Sequence, residues 1–178
     1  MVLVKLKNDM CSLRAVDTDD LEFIYELENN PALWEFGHTL TPYSKLTIRE
    51  YLENAHRDIY EVKQLRLGIC NAQNQIKGVI DLYDFDPYHK RAGVGVVINQ
   101  ESDRAKGLAT AALELMVDYA FDHLRLHQLY AGIAQDNYAS RKLFEKLRFR
   151  ESGIKKDWIT TQDGYKDEYL YQLINEKL

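Results

Sequence analysis

Hydrophobic and polar positions along the chain change period several times, and each change marks an element. Cys11–Val16 alternates Leu13 and Ala15 with polar neighbours, as a half-buried strand does. Asp17-Thr18-Asp19-Asp20 then supplies acidic residues suited to a helix N-terminus. Leu21, Ile24, Tyr25 and Leu27 form an apolar stripe at helical spacing, stopped at Asn29-Asn30-Pro31. Ile48, Tyr51, Leu52, Ala55 and Ile59 predict a second helix over Ser44–Ile59. Leu65–Cys70, Ile76–Phe85 and the valine-rich Ala92–Ile98 read as three strands, the first two joined by the polar turn Asn71–Gln75. The polar loop Asn99–Lys106 leads to a helix from Gly107 to about His123, with Leu108, Ala112, Leu115, Met116, Tyr119 and Ala120 inward. Leu129–Ala134 is another strand and Ser140–Leu147 a short helix. Phe149–Leu173 reads as two strands joined at Gln162-Asp163-Gly164.

Strands and helices in this order predict a single mixed α/β (α+β) domain over residues 1–178. A length of 178 residues suits one domain with a proper core. No linker, repeat or low-complexity stretch interrupts it. The early lysines Lys5 and Lys7 break any signal-peptide core, and no apolar run reaches the ~18 residues of a membrane span. The net charge of −5 argues against a general nucleic-acid binder. Two distant cysteines, Cys11 and Cys70, exclude a disulfide framework, and reduced packing thiols in a cytoplasmic protein are the simplest expectation.

The segment with most chemical content is Ile98-Asn99-Gln100-Glu101-Ser102-Asp103-Arg104-Ala105-Lys106-Gly107-Leu108-Ala109-Thr110. A strand ends, a polar loop follows, and a helix opens at a glycine. The first N–H groups of a helix have no intrahelical partner and, with the dipole, suit a phosphate or pyrophosphate. Gly107 allows close approach to the backbone, and Arg104 and Lys106 add positive charge. An ordinary helix start with solvated charges has the same pattern. The loop is neither a P-loop nor a dinucleotide fingerprint, because GxxxxGK[ST] is absent and Gly93 and Gly95 lie inside a strand.

Arg104-x-x-Gly107-x-Ala109 resembles the [RQ]-x-x-G-x-[GA] pyrophosphate loop of GNAT N-acetyltransferases. Asp136–Phe149 is similar to that family's second cofactor block, N-x-x-[SA]-x-x-x-Y-x-K-x-G-F. The element order agrees over about residues 10–175. The resemblance implies a mixed, mostly antiparallel sheet with helices on both faces and a splayed strand pair holding acetyl-CoA. It implies that Val96, Val97 and Ile98 offer their backbone to the pantetheine arm. Arg104, Ala105, Lys106, Gly107, Leu108, Ala109 and Thr110 would wrap the pyrophosphate. Asn137 would bond the cofactor arm, with Ser140 and Lys142 as further candidates on the same helix. An asparagine is equally a helix cap. The basic stretch Arg141, Lys142, Lys146, Arg148 and Arg150 suits the anionic end of CoA or simple solvation. No metal is called for.

Two positions depart from the family pattern. Phe144 stands where the family has a tyrosine that protonates the leaving thiolate, an effect of typically ~10²–10⁴-fold. Water, Tyr138 or Tyr165 could replace it, or the protein could bind acyl-CoA without turnover. Arg148 replaces the glycine of K-x-G-F, so a glycine turn is expected to be lost. An acceptor amine must also lose a proton before it attacks a thioester. Asp81, mid-strand in Ile80-Asp81-Leu82, is the candidate base, and alternation places it with Tyr83 and Phe85; a solvated face is the competing reading.

The stretch Gly78–Ile98 also resembles the spermidine and ribosomal-protein N-terminal branches of the family. Asp81 falls at an acidic acceptor-site position of the polyamine branch. Gly93 stands at another, and Thr39 and Leu40 fall where further acids are expected. The acidic residues Asp17, Asp19, Asp20, Glu22, Glu26 and Glu28 could attract a cation or simply complement the helix dipole. The expected function is therefore direct transfer of an acetyl group from acetyl-CoA to a primary amine within a ternary complex. The acceptor would be a small amine or polyamine, or a protein N-terminus. A non-catalytic acyl-CoA-binding module is the alternative. Neither nucleic acid nor membrane is an expected partner, and the oligomeric state is open.

Overall fold

The computed structural model describes residues 5–37 and 40–176, with the backbone alone for 35–37. Strand β1 (Ser12–Ala15) leads to a short 3-10 turn (Thr18–Asp20) and helix α1 (Leu21–Glu28). Helices α2 (Pro31–Gly37), α3 (Lys45–Glu53) and α4 (Ile59–Val62) precede strands β2 (Leu65–Cys70), β3 (Ile76–Asp86) and β4 (Arg91–Ile98). Helix α5 (Leu108–Asp118) ends in a π turn (Tyr119–His123), and β5 (Gln128–Ala134), α6 (Tyr138–Lys146), β6 (Arg150–Thr161) and β7 (Gly164–Ile174) complete the chain. The strands form one seven-stranded sheet in the order β1-β2-β3-β4-β5-β7-β6. Every neighbouring pair is antiparallel except β4 and β5.

Helices cover both faces of this sheet. Ile80, Leu82, Val94 and Ile98 join the core beneath α5, together with Ala112, Leu113, Met116 and Phe144. Val79 joins the other core, where Ile24 and Leu27 of α1 meet Ile48 and Leu52 of α3. Both cysteines are buried and free. Burial pushes the Cys11 thiol up to about 11, with Cys70 and Glu114 adding to the effect, so it packs rather than reacts.

Four local expectations need correction. The helix predicted over Ser44–Ile59 is two helices, because α3 stops at Glu53 and Asn54 turns back to bond the Glu50 carbonyl through its side chain at 2.8 Å. Asp58 then caps α4 by accepting from Tyr60 N–H at 2.7 Å, so Ile59 opens a new element. Pro31 does not only stop α1. It is also the first residue of α2, where a missing N–H costs nothing.

The third correction concerns Phe85. The register slips between Tyr83 and Asp86, with Asp84 at φ 49°, and the bulge sends Phe85 into the core with Leu82. Asp81 and Tyr83 are left on the opposite face. The fourth concerns the turn at Arg148, which is kept despite the absence of glycine. Arg148 adopts φ 68°, Arg148 N–H bonds the Glu145 carbonyl at 3.0 Å, and Phe149 N–H bonds that of Phe144 at 3.1 Å. These are the two bonds of a Schellman cap, and the Phe144 and Phe149 rings, 4.9 Å apart, supply its apolar contact. The aromatic contact compensates for the unfavourable backbone of Arg148, a cost of about 1 kcal/mol or more.

Candidate active site

The parallel pair β4/β5 holds only from Arg91↔Gln128 to Gly93↔Tyr130. Beyond it the strands part, leaving Val94–Ile98 and Ala131–Ala134 without each other as partners. A cavity of about 530 Å³ occupies this gap and continues onto the α1 face. Val94, Val96 and Val97 line one wall, and Ile133, Asn137 and Phe144 part of the other.

At the open end of the gap lies the Asn99–Gly107 loop. Ala105 and Gly107 both take left-handed backbone, at φ 58° and 84°. A side chain on Gly107 would make only ordinary contact with Met10, at 3.7 Å, so backbone conformation rather than space requires the glycine. Ala111 N–H, bonding the Gly107 carbonyl at 2.9 Å, is the first donor used within α5. The N–H groups of Leu108, Ala109 and Thr110 therefore precede any intrahelical acceptor, at the positive end of the dipole. Leu108 is buried and Ala109 and Thr110 half-buried, while Ala105 and Lys106 are exposed.

The loop's cations are already engaged. Arg104 donates from Nε to the Ile98 carbonyl and from Nη2 to that of Asn99, both at 3.1 Å. It straps the end of β4 to the loop. Asp103 sits between Lys77 at 3.3 Å and Lys106 at 3.6 Å. What the loop offers an anion is therefore mainly backbone N–H groups, with Lys106 exposed beside them.

Asn137 caps α6, its side-chain oxygen accepting from Ser140 N–H at 3.1 Å. Both residues line the cavity, whereas Lys142 is exposed and outside it. Arg141, part of the basic stretch, is held to the sheet by the Tyr171 hydroxyl at 3.1 Å and by the Tyr169 ring at 4.2 Å.

Asp81 lies across β2 from Arg66, and the guanidinium grips it from Nε at 2.7 Å and Nη2 at 3.1 Å. Arg66 Nη1 donates to Glu28, the last residue of α1. The three side chains are about one-fifth exposed. Burial alone would lower the Arg66 pKa, but Asp81 and Glu28 hold it well above the usual value, so one fixed cation sits between two carboxylates. Trp34 braces this corner by donating to the Glu28 carbonyl at 2.8 Å. Asp81 is therefore neither a free carboxylate nor part of a solvated face.

Across the gap, Glu168 of β7 is buried and accepts from Lys155 of β6 at 2.7 Å. Its carboxyl fills the space a side chain on Gly132 would need, since a Cβ there would come within 2.6 Å. Arg66, Tyr83, Tyr130, Lys155, Trp158 and Glu168 escape the sequence reading as site residues, whereas Glu28 is one of the acidic residues of α1 that it offered as a possible cation attractor. Arg66 meets Asp81 because the β2/β3 register slips by one residue between Ile69 and Cys70; counted from the Asn71–Gln75 turn without that bulge it would face Ile80, so the turn carries no signal for the pair. Among the described residues, the charged groups lining the cavity are four carboxylates, Glu28, Asp81, Asp84 and Glu168, against two cations, Arg66 and Lys155. Thr39 lies outside the described residues, and Leu40 is exposed. Gly93 is overlain by the Tyr83 ring, which leaves no room for an acidic side chain.

Residues 11–150 match the family model of the acetyltransferase (GNAT) domain. The chain belongs to the GNAT family. It is an acetyl-CoA-dependent N-acetyltransferase. The spermidine N(1)-acetyltransferase of Vibrio cholerae is 28% identical over 170 residues, covering 96% of each chain. The putative ribosomal N-acetyltransferase YdaF of Bacillus subtilis is 27% identical over 175 residues, 96% of this chain and 94% of that one. A crystal structure of the Vibrio cholerae spermidine N-acetyltransferase in complex with CoA and spermine superposes with a TM-score of 0.85 at 25% identity, over 96% of this GNAT chain and 98% of that one. Among the described residues, no helix of the acetyltransferase is long and apolar enough to cross a membrane.

Proposed function

We propose that the acetyltransferase acts on a primary amine of a linear polyamine, by direct attack on the thioester. The observation that carries this reading is the charge of the cavity, where the splayed gap opens, among the described residues, onto four carboxylates and two cations. A polycationic acceptor gains from such a pocket, and a neutral amine does not. The similarity to spermidine acetyltransferases supports the same acceptor class.

In this reading acetyl-CoA enters from the Arg104–Thr110 end. The pyrophosphate lies on backbone N–H groups of the loop and of α5, with Lys106 at the exposed rim. The pantetheine arm runs along Val96, Val97 and Ile98 as an added strand. The Asn137 amide nitrogen and the Ser140 hydroxyl lie beside its path. Asp81 and Glu28, held by Arg66, draw the ammonium in, and Asp81 receives its proton directly or through water. The neutral nitrogen then attacks the carbonyl carbon, and CoA leaves as the thiol.

Release of free CoA thiol, measured with a panel of amines, tests the assignment. Spermidine and spermine are expected to outpace monoamines and short peptides with free N-termini by tenfold or more in kcat/KM. A second reading, a protein N-terminus as acceptor, rests on the similarity to the putative ribosomal N-acetyltransferase. Peptides turning over faster than every polyamine would establish it in place of the first.

A further inference from the structure

Phe144 leaves the reaction without the phenol that the family motif carries, and the two substitutes considered from sequence do not reach the gap. Tyr138 and Tyr165 are both 66% exposed, and neither lines the cavity. A different phenol does line it. Tyr83 sits directly across β3/β4 from Gly93, on the face freed by the bulge at Asp84. Its ring lies flat over that glycine: a Cβ on Gly93 would fall 2.1 Å from Cε2 and 2.3 Å from Cζ. The other ring edge passes 3.8 Å from where a Cβ on Gly95 would stand. Two glycines in a valine-rich strand thus make a trough for one tyrosine. Tyr130, the last β5 residue paired with β4, closes the trough edge-on with centroids 6.0 Å apart.

This position is the apex of the splayed gap. The pyrophosphate loop follows the far, C-terminal end of β4, so an arm laid along Ile98, Val97 and Val96 brings its thioester toward Gly95 and Gly93. We propose that Tyr83 is the catalytic acid of this acetyltransferase, delivering its phenolic proton to the departing CoA sulfur from the β3 side of the gap. The inference rests on the placement of acetyl-CoA given above. The amine nitrogen forms a bond to the carbonyl carbon, the C–S bond breaks, and its electron pair stays on sulfur. The phenol proton moves to that sulfur, giving the free thiol. The proton shed by the nitrogen returns to the phenolate through water, so Tyr83 ends as it began.

The surroundings fit this role. Burial first, and then Tyr130, Glu168 and Asp84, hold the phenol well above its usual pKa, against the opposing pull of the Gly132 N–H. The group is therefore fully protonated at neutral pH, as an acid has to be. On the opposite wall, Phe144 is committed to the α6 cap through Phe149 and has no proton to give.

Tyr83→Phe keeps the ring over Gly93 and removes only the proton donor. With acetyl-CoA and the best amine of the panel, kcat should fall ~10²–10⁴-fold while KM for acetyl-CoA stays within about threefold. With the acetyl thioester of thiophenol, whose thiolate departs without needing a proton, the same variant should lose less than about threefold. An unchanged kcat with acetyl-CoA, or an equal loss with both thioesters, overturns the proposal. The double variant Tyr83→Phe/Phe144→Tyr covers the case of a weakened fold: recovery of tenfold or more in kcat supports the acid role, and no recovery overturns it. Calorimetry of acetyl-CoA with Gly107→Asp separates the two levels. Unchanged affinity there means the cofactor placement has failed, whatever Tyr83 contributes.

Discussion

The two halves of the proposed active site are built by different means. On the cofactor side, β4, the Asn99–Gly107 loop and the start of α5 are contiguous in the chain and present mainly backbone. Of their cations, Arg104 is turned onto the Ile98 and Asn99 carbonyls, and Lys106 stays exposed beside Asp103. On the acceptor side, charges from α1, β2, β3, β6 and β7 converge through long side chains, as in Glu28–Arg66–Asp81 and Lys155–Glu168. A backbone site tolerates side-chain change and is broken by conformation. A side-chain site tolerates conformational detail and is broken by loss of one charge.

The sharpest break of this contrast is Gly107→Asp. A negative side chain at the proposed pyrophosphate position should cost at least ~10²-fold in acetyl-CoA affinity, read by calorimetry. Gly107→Asn, a residue that tolerates left-handed backbone, should lose much less. Equal losses would mean that space rather than charge and conformation governs the loop.

Arg66→Met comes next. It leaves Glu28 and Asp81 facing each other without their cation. Since the three groups keep some solvent, the cost should be ~2–3 kcal/mol rather than the full value of a dry pair, a drop of roughly 5–10 °C in Tm. Acetyl-CoA affinity should hardly change. A Tm within 1–2 °C of the parent, by about the same scale, would show the triad to be a surface network.

Asp81→Asn should lower turnover at neutral pH by about tenfold or more, with acetyl-CoA affinity within about twofold. Wild-type turnover would move the acceptor's charge recognition to Glu28 or Glu168. The smallest effect is expected from Arg104→Ala, which removes two hydrogen bonds, to the Ile98 carbonyl at the end of β4 and to the Asn99 carbonyl of the loop, but in the proposed placement no direct ligand contact. A loss of only a few-fold in acetyl-CoA affinity distinguishes a strap from a phosphate clamp, because loss of a charge-assisted phosphate contact would cost roughly tenfold or more.

The element order and the strand-loop-helix junction at Gly107 were legible in the sequence because they depend on neighbours: periodicity, caps and turn residues act over a few positions. The same locality explains the errors. Cap-forming Asn54 and Asp58 divide a stripe whose spacing alone reads as one helix. The bulge at Asp84 reverses a face that strict alternation would have kept for Phe85.

What the sequence by itself determined is the family and the strand-loop-helix junction on which the proposed cofactor half is built, since its backbone donors are consecutive residues and Gly107 marks itself by position. Only the tertiary structure decided the proposed acceptor half. Arg66 is a neighbour of Glu28 because α1 packs on the β2/β3 face, and Glu168 reaches the gap because β7 inserts between β5 and β6 and Gly132 yields the volume. Tyr83 shows the division within one residue. Alternation gives its face, but its place at the apex depends on cross-strand register and on two glycines ten and twelve positions away. Contacts that distant are set by sheet pairing and packing, which no local pattern encodes.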